Sequence, residues 1–242
     1  MKKWNLVFAV LLAAALLMTG CGGAASGPKT KAPEQVVIET NPAPETEAAA
    51  TDPIVAETEA ATIISPLPDT TMENLRDGIL AISLEEGGAY ADETGKLHLE
   101  LTIYSFDQYD MVDIAMMKVG DIFATYAGTE EITALETYDN GMIAINGGLY
   151  EDGFDLMTDD SGLYFECGYN DAKNWYQVGT ATLPVSADFV YRDTSDLEAG
   201  EKVYSAEDFL NGEVGEFYFT PYDTTIRVEN GQIVEMNRMY TP

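Results

Sequence analysis

The chain has 242 residues, 42 of them Asp or Glu against 12 Lys or Arg, for a formal charge of −30. So negative a field repels nucleic acid, anionic lipid headgroups and anionic wall polymers, and it favours cations or basic partners. The lone histidine, His98, cannot build a zinc site with cysteines absent from its neighbourhood, and no Ser stands in a Gly-x-Ser-x-Gly elbow.

In chain order, Lys2 and Lys3 precede an uncharged apolar stretch, Leu6 to Leu17, and then Thr19, Gly20 and Cys21. That run has the length of a signal-peptide core and is short for a bilayer span. Leu17-Met18-Thr19-Gly20-Cys21 resembles the lipobox of bacterial lipoproteins, with Met18 where Leu is commoner. The resemblance covers only this N-terminal region. It implies a signal peptide over 1–20, cleavage before Cys21, and lipid on the Cys21 thiol as the contact with the membrane. Two acyl chains suffice for stable anchoring where one does not.

Gly22 to Pro66 contains no aromatic residue, nearly repeats Glu-Thr-Glu-Ala-Ala, and ends a region holding seven of the ten prolines before residue 69. It cannot bury enough apolar surface to offset its ordering entropy, so 21–66 reads as a lipidated Cys followed by a disordered tether. As a flexible coil it holds the domain roughly 35–40 Å from the membrane. A long Ala/Thr/Glu/Pro tether behind a lipid resembles surface lipoproteins of Gram-positive bacteria, on the outer face of the cell membrane.

Residues 67–242 hold all fourteen tyrosines and eight of the nine phenylalanines, with thirty-five acidic against eight basic side chains, a charge of −27. This is enough chain for one domain with its own core. Leu97, Leu99, Leu101 and Ile103 alternate with His98, Glu100, Thr102 and Tyr104, the period-two signature of a half-buried strand. Asn140-Gly141 and Asn230-Gly231 mark hairpins; Asp92 to Gly95 and Asp159 to Gly162 read as further turns. Lys118-Val-Gly-Asp-Ile122 reads as the start of another strand. Roughly ten short strands predict an all-β barrel or sandwich. Two short helices are expected, Met111 to Lys118 capped by Asp110 and Ala206 to Leu210 capped by Ser205.

Four features bear on chemistry. Leu163, Phe165 and Cys167 share a strand face, which predicts a buried, unpaired thiol. Met111, Met116 and Met117 fit packing onto the core better than a copper site without His or Cys partners. Glu151 to Asp160 is the densest acidic loop. It fails the EF-hand pattern but offers Asp152, Asp155, Asp159 and Asp160 as oxygen donors for weak calcium binding, the one cofactor considered. Trp175-Tyr176 offers a stacking surface for sugar rings or a cation, against the alternative of a core tryptophan. The expected function is non-catalytic binding of an envelope or extracellular ligand. The alternatives are an envelope hydrolase, such as a glycosidase, using a carboxylate pair, and a structural envelope protein.

Overall fold

The computed structural model describes residues 60–214 and 218–241; the signal, Cys21 and most of the expected tether lie outside them. The tether's last residues belong to the fold. Strand β1 (Ile63–Ile64) pairs in parallel with a later strand and buries Ile64. Next come β2 (Gly78–Ser83), β3 (Ala89–Ala91), β4 (Leu97–Ser105) and β5 (Gln108–Tyr109), then helix α1 (Met111–Met116). Short strands β6 (Ile122–Thr125), β7 (Gly128–Glu131), β8 (Leu135–Thr137), β9 (Ile143–Ile145), β10 (Phe154–Thr158) and β11 (Tyr164–Glu166) follow. The chain ends with the long β12 (Tyr176–Thr194), β13 (Lys202–Tyr204), helix α2 (Ala206–Leu210), β14 (Thr224–Glu229) and β15 (Gln232–Met239). The domain is all-β with two short helices.

Five of these strands close on themselves. β2 pairs with β4, β4 with β12, β12 with β15, β15 with β14, and β14 with β2; only β12–β15 is parallel. Numbered along the chain, the barrel strands run first, second, third, fifth, fourth and back to first, with α2 between the third and fourth. That is the strand order and helix position of an OB-type Greek-key barrel. The sequence left barrel or sandwich open, and the double partnership of β12 settles it. Its nineteen residues pair along one half with β4 and along the other with β15 and β13, with register shifts after Gln177 and Val185. Such irregularities bend a strand far enough to turn a sheet corner.

The alternation in β4 does what its pattern predicts. Leu97, Leu99, Leu101 and Ile103 fill the barrel with Leu80, Ile82, Ile226, Val228, Ile233 and Met236, each such burial contributing roughly 1.5–3 kcal/mol. Phe209 of α2 packs edge-on against Phe189 and Tyr191. Its helix starts where expected, because Ser205 and Asp208 cap each other's backbone N–H groups.

Residues 106–175 form an insertion between β4 and β12, leaving and returning at the paired residues Ser105 and Tyr176. Inside it β5-β11-β10-β9-β8 form one antiparallel sheet, and β7 and β1 flank β6 in another. A separate core of Ile64, Tyr109, Ile114, Met117, Phe123, Ile132, Ile145 and Leu156 lies there. Lys118 to Ile122 does start a strand, and the reason is Asp121. Its buried carboxylate accepts from Lys118 N at 3.0 Å and from Thr62 N at 2.9 Å, stitching the segment before β2 to the insertion.

The turns differ in detail. Asn230 and Gly231 both have positive φ, the two-residue hairpin that Asn-Gly favours. At Asn140-Gly141 only the glycine does; Tyr138 N–H reaches Met142 O and Gly141 N–H reaches Tyr138 O. Asp92 to Gly95 and Asp159 to Gly162 repeat that three-residue pattern. Helix α1 is shorter than expected. Asp110 accepts from Val112 N as its cap, but the helix stops at Met116. The methionine expectation is corrected too: Ile114 and Met117 pack, whereas Met111 and Met116 face solvent, because a helix so short buries only one stripe.

Candidate functional site

A cleft of about 940 Å³ lies where the insertion meets the barrel, lined by 168–175 without Asp171 on one side and by 218, 220–225, Met239 and Thr241 on the other, with Leu149. The insertion's wall is a loop closed by the Cys167–Lys173 bridge, with Gly168 N–H donating to Ala172 O at 2.6 Å. At its tip Asn170 and Asp171 hold φ near +60°, a left-handed pair without glycine. That turn lifts Tyr169 into solvent at 78% exposure. Tyr218 and Tyr222, 69% and 52% exposed, stand on the barrel's side. Among the described residues the rings of Tyr169, Tyr218 and Tyr222 stack on no other ring and their hydroxyls have no hydrogen-bond partner.

The cleft's charges are already compensated. Lys173 Nζ sits 3.9 Å above the Phe106 ring and 3.6 Å from Asp159 Oδ2. Asp223 is buried. One of its oxygens accepts from Thr220 N, Thr220 Oγ1 and Thr224 Oγ1 at 2.7–3.0 Å, and the other meets Arg238 Nε at 3.2 Å. Arg238 also lies 3.9 Å from Asp193. What the cleft offers is aromatic faces, the amide of Asn170, the side-chain oxygen of Asn174 and the hydroxyls of Thr225 and Thr241.

The Trp175-Tyr176 pair divides. Trp175 lines the cleft and meets Phe106 edge-on at 4.8 Å between ring centres. Tyr176 begins β12 facing elsewhere. It stacks on Tyr126 at 4.0 Å and donates its hydroxyl to Asp107 Oδ1 at 3.1 Å. The three exposed tyrosines were not singled out in the sequence. Tyr169 and Tyr222 carried only the signal of a tyrosine beside turn residues, in Gly168-Tyr-Asn and Thr220-Pro-Tyr, and Tyr218, between two phenylalanines, carried none.

The four aspartates of the acidic loop do not converge. Asp155 is buried under the turn of Gly147 and Gly148, whose φ values are both positive, and its carboxylate accepts from Leu149 N. A side chain on Gly148 would run into that carboxylate. Asp159 accepts from the Ser161 amide and hydroxyl, which hold its carboxyl below the ordinary range. Asp152 and Asp160 point into solvent. Among the described residues no group of three or more His, Cys, Asp or Glu could hold a metal ion.

Behind the cleft lies a pair of buried acids. Asp107 accepts from Tyr126 N at 2.7 Å and from Tyr176, and Glu166 accepts from Asn174 Nδ2 at 2.6 Å. Burial pushes both carboxyls up, and the Asp107 charge raises Glu166 further. Burial also pushes the Tyr176 hydroxyl up to about 12. Cys167 is buried and unpaired as its strand position implied, and burial pushes its thiol up to about 12. His98 is half-buried, stacked on Tyr90 and 3.1 Å from Asp92 Oδ2.

Fold and cleft together define an all-β domain, an OB-type barrel with an inserted β unit and an aromatic cleft between them. No protein-family model, curated protein or solved structure matches the chain.

Proposed function

We propose that this chain is a surface lipoprotein, anchored through lipid on Cys21 to the outer face of a Gram-positive cell membrane, whose domain binds an envelope or extracellular ligand in the cleft without catalysis. The anchor rests on the lipobox resemblance. The binding role rests on one observation: three exposed tyrosines, without a partner among the described residues, line one cleft with Trp175. Exposed rings exact a solvation cost that a stacking ligand relieves. Among the described residues no helix is long and apolar enough to cross a membrane. The barrel topology favours no particular function, since one such fold hosts many.

A second reading, an envelope enzyme, draws on Asp107 and Glu166, two buried acids with raised pKa values. Neither lines the cleft, and this favours binding.

Fatty-acid labelling tests the anchor: native chain takes up label, and Cys21→Ala does not. Sedimentation of residues 22–242 with isolated cell envelopes tests binding. Retention that Tyr169→Ala with Tyr222→Ala abolishes is the expected result. Retention unchanged by that pair removes the cleft from the function.

A further inference from the structure

We infer that the ligand of the cleft is a neutral oligosaccharide, held by stacking of its sugar rings on Tyr169, Trp175, Tyr218 and Tyr222. This deepens, and rests on, the binding reading above. Three observations select the class. The first is the set of rings, carried on two walls of one cleft, which suits flat apolar faces presented in succession along a chain. The second is charge. Lys173 is engaged by Phe106 and Asp159, and Asp223 by Arg238 and three hydrogen-bond donors. Among the described residues the site therefore has no uncommitted positive group for an anion, and the surrounding domain, at −27 over residues 67–242, repels polyanions at longer range. Asp223, the one lining carboxylate among the described residues, is likewise unavailable to clamp a cation. The third is the remaining polar chemistry. The side-chain amide of Asn170 and the side-chain oxygen of Asn174, whose Nδ2 is given to Glu166, with Thr225 opposite, supply the mixed donors and acceptors that sugar hydroxyls require. A volume of about 940 Å³ lies at the upper end for small-ligand clefts and suits several linked rings better than one.

The chain carries its own reporter. Its two tryptophans are Trp4 and Trp175, so the tryptophan emission of residues 22–242 comes from Trp175 alone, which lines the cleft. Described structure begins at residue 60, and the compact unit Ala56–Pro242 is complete in that fragment. The experiment screens it on an array of neutral plant, fungal, bacterial-wall and host glycans, then titrates the hits against Trp175 emission. Heparin fragments, choline chloride and decaproline serve as anionic, cationic and peptide probes. The expected result is a saturable shift with at least one neutral oligosaccharide and none with heparin. Tyr169→Ala and Tyr222→Ala then each weaken binding on the order of tenfold, while Tyr222→Phe, which keeps the ring, stays within about threefold. An array with no hit, or a saturable shift only with choline or decaproline, overturns the sugar assignment. In that case envelope sedimentation decides the broader reading. Retention lost in the tyrosine variants keeps the cleft as a binding site for another ligand, and retention unchanged ends both.

Discussion

Asp223→Ala probes the barrel end that forms one wall of the cleft. The carboxylate is 9% exposed and serves four donors: the amide and hydroxyl of Thr220, the hydroxyl of Thr224, and Arg238 Nε. Removing one member of a buried ion pair costs about 3–5 kcal/mol, because the partner's charge is left behind. Arg238 keeps Asp193 at 3.9 Å, which offsets part of that, while Thr220 and Thr224 lose their shared acceptor. The expected loss is about 3 kcal/mol, and for a domain of this size each kcal/mol lowers Tm by roughly 2–4 °C. Calorimetry of residues 22–242 should therefore show Tm falling by roughly 6–12 °C. The loss should persist in high salt, since buried pairs are weakly screened. The double variant Asp223→Ala with Arg238→Met should recover part of it by removing the stranded charge. A fall under about 2 °C, or no recovery in the double variant, would refute the hub role given to Asp223.

Three further outcomes are expected. Burial raises the Asp107 and Glu166 carboxyls above their ordinary values, so over that interval the folded chain holds protons there that the unfolded chain has released. Their contribution is fully present below about pH 4 and declines as the pH rises through the folded values. Glu166→Gln keeps the Asn174 hydrogen bond and should gain denaturant midpoint over native at pH 7 but not at pH 4; parallel profiles would refute the pairing. Cys167 should react with a thiol reagent only after unfolding, and rapid native labelling would place it at the surface. Calcium and magnesium at matched ionic strength should raise Tm equally, because Asp152, Asp155, Asp159 and Asp160 point apart; a calcium excess abolished by Asp155→Asn with Asp159→Asn would show a site.

Local signals in the sequence carried far, and long-range ones did not. Alternation over Leu97 to Ile103 placed the core face of β4, and Ser205 and Asn230-Gly231 placed a helix start and a hairpin, because each acts within a few residues. Barrel closure depends on β12 meeting β4 across a seventy-residue insertion, a pairing that no short window contains. The same limit governed the site. Trp175 stood out as a rare residue, but Tyr169, Tyr218 and Tyr222 are common ones brought together by the fold. Acidic density between Glu151 and Asp160 is visible in the chain, whereas side-chain direction is not. Asp155 turns inward beneath a glycine turn while Asp152 and Asp160 turn out.

The insertion leaves the barrel at Ser105 and returns at its cross-strand partner Tyr176. A host strand pair whose guest departs and re-enters at neighbouring backbone positions is nearly indifferent to the guest's length, because closure entropy grows only with the logarithm of the loop. Such an architecture lets one guest be exchanged for another while the host's five-strand closure stays intact. The cleft draws one wall from each, so a new guest would replace one wall and leave the other as it is. One thread restrains the exchange: β1 belongs to the chain ahead of the barrel yet pairs with β6 inside the guest, so any replacement must still offer Ile63 and Ile64 a strand edge.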